Sequence, residues 1–170
     1  FSFEIVIAED CSTDRTLQIC LEFQRANPSI IKLVAMDNNV GMMVNYHTNI
    51  LTHARGKYVA QCAGDDYWTN QSKLKRQVEF LEANIDYVLI HTSYKVLEMS
   101  RGREWDVVKF DLNETLTEFF HENKVAALTA CFRNEIFKKY YNEIKPLDKN
   151  WLSEDYPMWL YFAGQGRVKV

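Results

Sequence analysis

Along the first hundred residues, short apolar runs alternate with amphipathic stretches. Phe3 to Ala8 is apolar and rich in β-branched residues, the pattern of a buried strand. Ser12-Thr13-Asp14 offers N-cap chemistry for a helix over about 14–26, which Pro28 must end. Ile30 to Ala35 reads as a second strand, and Asp37-Asn38-Asn39 with Gly41 as a turn. Met43, His47, Ile50, Leu51 and Ala54 recur at helical spacing until Gly56. Tyr58 to Ala63 is a third strand that runs straight into Gly64-Asp65-Asp66. Leu74, Val78 and Leu81 predict a helix over 71–83, and Tyr87 to Glu98 one long strand.

The second half is less regular. Arg101-Gly102-Arg103 reads as a turn before a strand from Trp105 to Phe110. A short helix over 114–121, an apolar run from Val125 to Phe132 and a helix over 134–143 follow. Ser153 is placed to cap a helix over 154–163, with Pro157 in its first turn, where the missing N–H does least harm. Arg167 to Val170 has the look of another strand. The order βαβαβαβ predicts an α/β fold with a largely parallel sheet flanked by helices. In such sheets ligands bind at the carboxyl ends of strands. Asp10 and Asp65-Asp66 both follow strand ends, so acids are expected to gather at one rim.

Composition narrows the function. The 170 residues are 47% hydrophobic and 25% charged, which is globular composition. The formal charge of −3 leaves no basic excess, so no nucleic-acid partner is expected. Mean hydropathy is −0.31, and no apolar run has the length of a membrane helix. With no recognisable leader either, the expected location is the cytoplasm. The cysteines at 11, 20, 62 and 131 contain no CxxC pair and read as free thiols. The chain is expected to be one domain, and a segment of a longer protein, because its ends fall inside strand-like runs.

Three acidic groups could carry chemistry. In Ala63-Gly64-Asp65-Asp66-Tyr67-Trp68, a strand ends, a glycine bends the chain and two carboxylates follow. Adjacent carboxylates repel unless a cation or solvent neutralises them. Mg²⁺ characteristically takes one or two of them plus substrate phosphates. The competing reading is an Asp-Asp turn before the next helix. Asp10, at the rim of the first strand, suits a nucleobase N–H or a ribose hydroxyl, whereas Ser12 to Asp14 read as capping residues. Glu154-Asp155 sits in a helix's first turn, where the dipole alone would favour acids. A general base is the functional alternative. Trp68 suits either a sugar face or packing, and Arg133 reads as an exposed residue at a helix start.

Taken in order, "EIVIAEDCSTDRT", "NNVGMMVNYHTNILTHARGKYVAQCAGDDYW", "KLKRQVEFLEAN", "ALTACFRNEIF" and "WLSEDYPMWLYFA" resemble the family 2 glycosyltransferases of GT-A fold. The resemblance covers nearly the whole chain. It implies a Rossmann-like mixed sheet and inverting transfer of a hexosyl or related sugar from a nucleotide-diphosphate donor, usually UDP-linked, to an acceptor hydroxyl. It implies Mn²⁺ or Mg²⁺, and a glycan or lipid-linked acceptor of the kind used to build cell-envelope polysaccharide. That places the protein at the inner face of a membrane. Asp10 resembles the acid that contacts the donor base. Gly64, Asp65 and Asp66 match the aspartate-rich motif, with Asp65 near the ribose or sugar and Asp66 on the metal. Asp155 resembles the general base, with Glu154 as the alternative. Residues 1–100 correspond to the nucleotide-sugar half and 101–170 to the acceptor half.

The sequence also departs from the family pattern. Ala63 stands where an Asp is frequent, and Glu9 and Cys11 where Asp and Gly are usual. The family's first strand precedes position 1, and its last segment, often basic or His-bearing, follows position 170. The nucleotide site is therefore expected to be incomplete within these residues. The alternatives are a non-catalytic domain of the same fold that binds a sugar nucleotide or a partner, and a nucleotidyltransferase. The latter needs a glycine-rich phosphate loop near its start, whereas Gly164-Gln165-Gly166 lies at the other end. A receiver-like signalling domain fits poorly with the long second half.

Overall fold

Strands β1 (Ile5–Glu9) and β2 (Ile31–Ala35) pair in parallel, with Ile5 opposite Ile31 and Glu9 opposite Ala35. Parallel pairing needs a crossover, and helix α1 (Thr16–Ala26) supplies it. The computed structural model describes residues 1–109, 113–114, 116–149, 151 and 153–170, with only the backbone at 113–114. It divides into two compact units, 1–57 with 144–153 and 58–143 with 154–170.

In the first unit, α1 starts two residues later than the sequence predicts. The Asp14 carboxylate accepts the Thr16 amide at 2.9 Å, which forms a turn ahead of the helix and not a cap on it. The amides of Cys11 and Ser12 are held by Glu9, at 3.2 and 2.7 Å. The helix ends as expected, with the Asn27 side chain on the Phe23 carbonyl and Pro28 next.

The helix expected up to Gly56 is present but irregular. Helix α2 (Met42–Asn45) widens into a π-helical turn over Tyr46–Leu51. Its most buried residues are Asn45 and Asn49, not the apolar positions that predicted it. Asn49 donates to Asn45 at 2.5 Å, and Asn45 donates to the Ala8 carbonyl of β1 at 3.3 Å. A widened turn lets side chains reach backbone that a regular α-helix would miss, which is a common use of π geometry.

The second unit is built on a five-stranded sheet in the order β3-β8-β4-β9-β7. Its strands are β3 (Tyr58–Ala60), β4 (Tyr87–Ile90), β7 (Asn113–Glu114), β8 (Cys131–Arg133) and β9 (Arg167–Lys169). Helix α3 (Lys73–Ala83) connects β3 to β4, which run the same way, as a crossover requires. Between them lies β8, antiparallel to both. This sheet is thus mixed, with parallel pairing in β4–β9 and antiparallel pairing in β3–β8, β8–β4 and β9–β7.

The long strand expected over 87–98 is two strands. β4 is buried along its length and belongs to the sheet, whereas β5 (Tyr94–Glu98) alternates and pairs with β6 (Arg103–Val107) as a separate hairpin. His91-Thr92-Ser93 is the break: the His91 amide still bonds the Lys169 carbonyl, and Ser93 turns to Lys109. Of the helix expected over 114–121, α4 (Leu116–Phe119) is present. Phe110 and Thr115, which belong to the strand and helix expected there, lie outside the described residues.

The core of this unit is aromatic. Phe132 on β8 packs against Phe137 of α5 (Asn134–Ile144) and against Trp159 and Phe162 of α6 (Asp155–Gln165), with ring centroids 5.1–5.8 Å apart. All four are fully buried. Gly166 follows α6 because a Cβ there would lie 2.6 Å from Val88 and 2.9 Å from the Asp86 carbonyl.

Arg133 is a correction to the sequence reading. It is buried, not exposed, and its guanidinium donates to backbone carbonyls. Its Nε donates to the Tyr87 carbonyl at 2.8 Å, and its Nη2 to the Leu81 and Asn84 carbonyls at 2.7 and 3.1 Å. The guanidinium lies over the Tyr58 ring. It thus closes the C-terminal end of α3 onto the sheet. Arg133→Leu leaves these carbonyls without their donor and is expected to lower stability by about 2 kcal/mol or more. A urea midpoint unchanged from wild type would contradict this.

Candidate functional site

In the first unit, Asp10 follows β1 and closes a loop. Its Oδ1 accepts the Val40 amide and its Oδ2 the Gly41 amide, both at 2.9 Å. Its carbonyl accepts the Asn39 side chain at 3.0 Å. Gly41 sits at φ +86°, a conformation that a residue with a Cβ rarely adopts. The first duty of Asp10 is therefore to fix residues 39–41 against the end of β1, and each oxygen keeps a second lone pair for a ligand. Beside it, Cys11 to Asp14 and Asn39 line a surface hollow of about 320 Å³.

In the second unit, Asp65 and Asp66 stand exposed on the turn after β3. The Asp66 amide bonds the Ala63 carbonyl at 3.1 Å, so Gly64-Asp65 forms the tip. Partial burial and the neighbouring Asp65 charge raise the Asp66 carboxyl above its ordinary value. A divalent cation would relieve that repulsion. The donor set is all oxygen and suits Mn²⁺ or Mg²⁺. Among the described residues no group of three or more His, Cys, Asp or Glu is placed to hold a metal. A cation here would therefore need oxygens from its substrate as well.

The loop is anchored from one side. Trp68 donates its indole N–H to the Leu128 carbonyl at 2.8 Å, and the Lys73 ammonium lies 4.7 Å from its ring centre. This favours the packing role for Trp68. Lys73 also donates to Gln77, which donates to the Thr129 carbonyl at 2.8 Å. Burial pushes Lys73 down to about 8.

Glu154 and Asp155 begin α6. The cap expected from Ser153 is absent: Glu154 holds the N-cap position, and no side-chain hydrogen bond caps the helix. Glu154 is buried, and its Oε1 accepts the Tyr141 hydroxyl of α5. Burial raises the carboxyls of both Glu154 and Asp155, and the adjacent Asp155 charge raises Glu154 further. For a base, a raised value means a stronger proton acceptor near neutral pH. The tyrosines went unread in the sequence. The signal was that a buried carboxylate pair needs a nearby hydroxyl donor, and Tyr140-Tyr141 lies on an amphipathic helix.

With this geometry the comparisons become informative. A sequence model of glycosyl transferase family 2 matches residues 2–146. The chain belongs to glycosyl transferase family 2. The Mycobacterium tuberculosis protein Rv1520 is 40% identical over 82 residues, 48% of this chain and 23% of that protein. The Staphylococcus aureus poly(ribitol-phosphate) beta-N-acetylglucosaminyltransferase TarS is 33% identical over 88 residues, 52% of this chain and 15% of TarS. A crystal structure of TarS residues 1–349 matches 99% of this chain and 48% of that one, with TM-score 0.67 and 24% identity. The mannosyltransferase PcManGT of Pyrobaculum calidifontis, solved in complex with GDP-Man and Mn²⁺, matches 97% of this chain and 44% of that one. Its TM-score is 0.64 at 18% identity. These structures share the GT-A fold with this family member. The chain spans less than half the length of each of these proteins.

The raised carboxyls have a consequence for stability. Between the ordinary carboxylate range and neutrality, the folded chain holds more protons on Glu154 and Asp155 than the unfolded chain does. Their contribution to stability is therefore complete at low pH and lost as the pH rises through the raised values. Melting temperatures from pH 4 to pH 8 should fall more steeply for wild type than for Glu154→Gln. Identical slopes would contradict the assignment.

Proposed function

We propose that this domain transfers a sugar from a nucleotide-diphosphate donor, UDP-linked, to an acceptor hydroxyl with inversion. The observation that carries the reading is the exposed Asp65–Asp66 pair at the end of β3, in a chain that belongs to this family. Asp10 contacts the donor base with its remaining lone pairs, and the hollow lined by Cys11 to Asp14 and Asn39 lies beside it. Gly64 lets the loop approach the donor closely, Asp65 lies at the ribose or sugar, and Asp66 with Asp65 holds Mn²⁺ or Mg²⁺. When bound, that cation neutralises charge on the diphosphate leaving group.

Asp155 is the general base. It takes the proton of the acceptor hydroxyl as that oxygen bonds to the anomeric carbon and the carbon–oxygen bond to the diphosphate breaks. Attack from the opposite face inverts the centre and releases the nucleoside diphosphate. Residues 1–100 form the donor half and 101–170 the acceptor half. The acceptor is a glycan or a lipid-linked glycan used in envelope polysaccharide, reached from the cytoplasmic side of a membrane. Among the described residues no helix is long and apolar enough to cross one.

The test is thermal stability of the full-length protein with UDP, GDP or dTDP, with and without Mn²⁺. At a hundredfold excess over the dissociation constant, binding adds about 2.7 kcal/mol. UDP should give a Mn²⁺-dependent rise that Asp66→Ala removes. A rise with GDP or dTDP alone would correct the donor, and no rise with any of them would overturn the proposal.

A further inference from the structure

The chain leaves the second unit after Glu143 and returns to it at Glu154, so α6 begins at a point of re-entry. No side-chain cap fixes its first turn. The hold is lateral instead. Tyr141, three residues before the exit, donates its hydroxyl to Glu154 Oε1 in the buried interior. Tyr141 is wedged edge-on between Phe137 and Tyr140, with ring centres at 5.1 and 5.2 Å, which restricts its ring. Further contacts join the same two helices: Tyr161 donates to Glu143, and Lys139 to Gln165, each at 2.7 Å.

The position is costly for an acid. Glu154 Oε2 and the Tyr140 hydroxyl are buried with no hydrogen-bond partner among the described residues. An apolar residue would fill the space with less penalty. What Glu154 supplies is an acceptor for Tyr141 in the residue directly before Asp155.

We propose that Tyr141 and Glu154 form a clamp that sets the first turn of α6 and so aims the Asp155 carboxylate, Glu154 being a positioning residue and not the proton acceptor. This rests on the reading of Asp155 as the general base. The pair joins the end of α5 to the first turn of α6.

The test is steady-state release of nucleoside diphosphate by the full-length protein, using whichever of UDP-glucose, UDP-N-acetylglucosamine, GDP-mannose and dTDP-rhamnose wild type turns over. Tyr141→Phe and Glu154→Ala should lower kcat by about tenfold or more with donor KM nearly unchanged, because a misaimed base slows chemistry and not donor binding. Glu154→Gln, whose amide oxygen accepts the same hydrogen, should restore most of the kcat lost in Glu154→Ala and keep the acid limb of the pH profile. If Glu154→Gln is as inactive as Glu154→Ala, the carboxylate itself moves the proton and the clamp is overturned. Wild-type kcat in Tyr141→Phe would overturn it as well. Should Glu154→Ala fail to fold, Tyr141→Phe, which removes one oxygen, decides alone. A wild type that turns over none of these donors and binds no nucleoside diphosphate overturns the functional reading, and the clamp's role with it, before any variant is made.

Discussion

The second unit depends on the packing of one three-residue strand, β8. It lies between β3 and β4, and among the described residues it is the strand that joins β3 to the rest of the sheet. On one side Phe132 seats Trp159 and Phe162 of the helix that begins at Asp155. Arg133 ties the end of α3 to the sheet, and the chain continues directly into α5, which carries Tyr141. The Asp65–Asp66 loop and the helix that begins at Asp155 are thus referenced to the same few residues. Burying side chains of this size contributes roughly 2–3 kcal/mol each.

That cost is the second theme. Asp66 is destabilised by partial burial and by Asp65, Glu154 by burial and by Asp155, and Asp155 by burial. Proteins keep such groups when charge will be met by a ligand or when a proton must be moved. Asp10 differs. Its carboxylate is satisfied by two backbone amides, so it shapes its loop before it meets any ligand.

Local chemistry made much of this readable. β-branched runs gave β1 and β2, and Pro28 gave the end of α1, whereas the strand expected over 58–63 stops at Ala60, with residues 61–63 between it and Gly64. What could not be read was set by distant partners. β8 is the triplet Cys131-Phe132-Arg133, whose place between β3 and β4 depends on residues about seventy and forty positions upstream. The break at His91 came from a change of burial, not of local propensity. Asn45 and Asn49 are buried on a face that periodicity left polar, because Asn45 bonds the backbone of β1 and Asn49 bonds Asn45. Tyr141 became meaningful only once its helix lay against α6.

In the proposed reaction the two acid pairs have separate work: Asp65–Asp66 would hold the donor through its cation, and Asp155 would move the proton. Titration of nucleoside diphosphate with Mn²⁺ into Asp155→Asn, alongside donor turnover by the same preparation, tests this most directly. The prediction is binding equal to wild type, with turnover reduced by about a hundredfold or more. Near-normal turnover, or binding lost together with turnover, would contradict it.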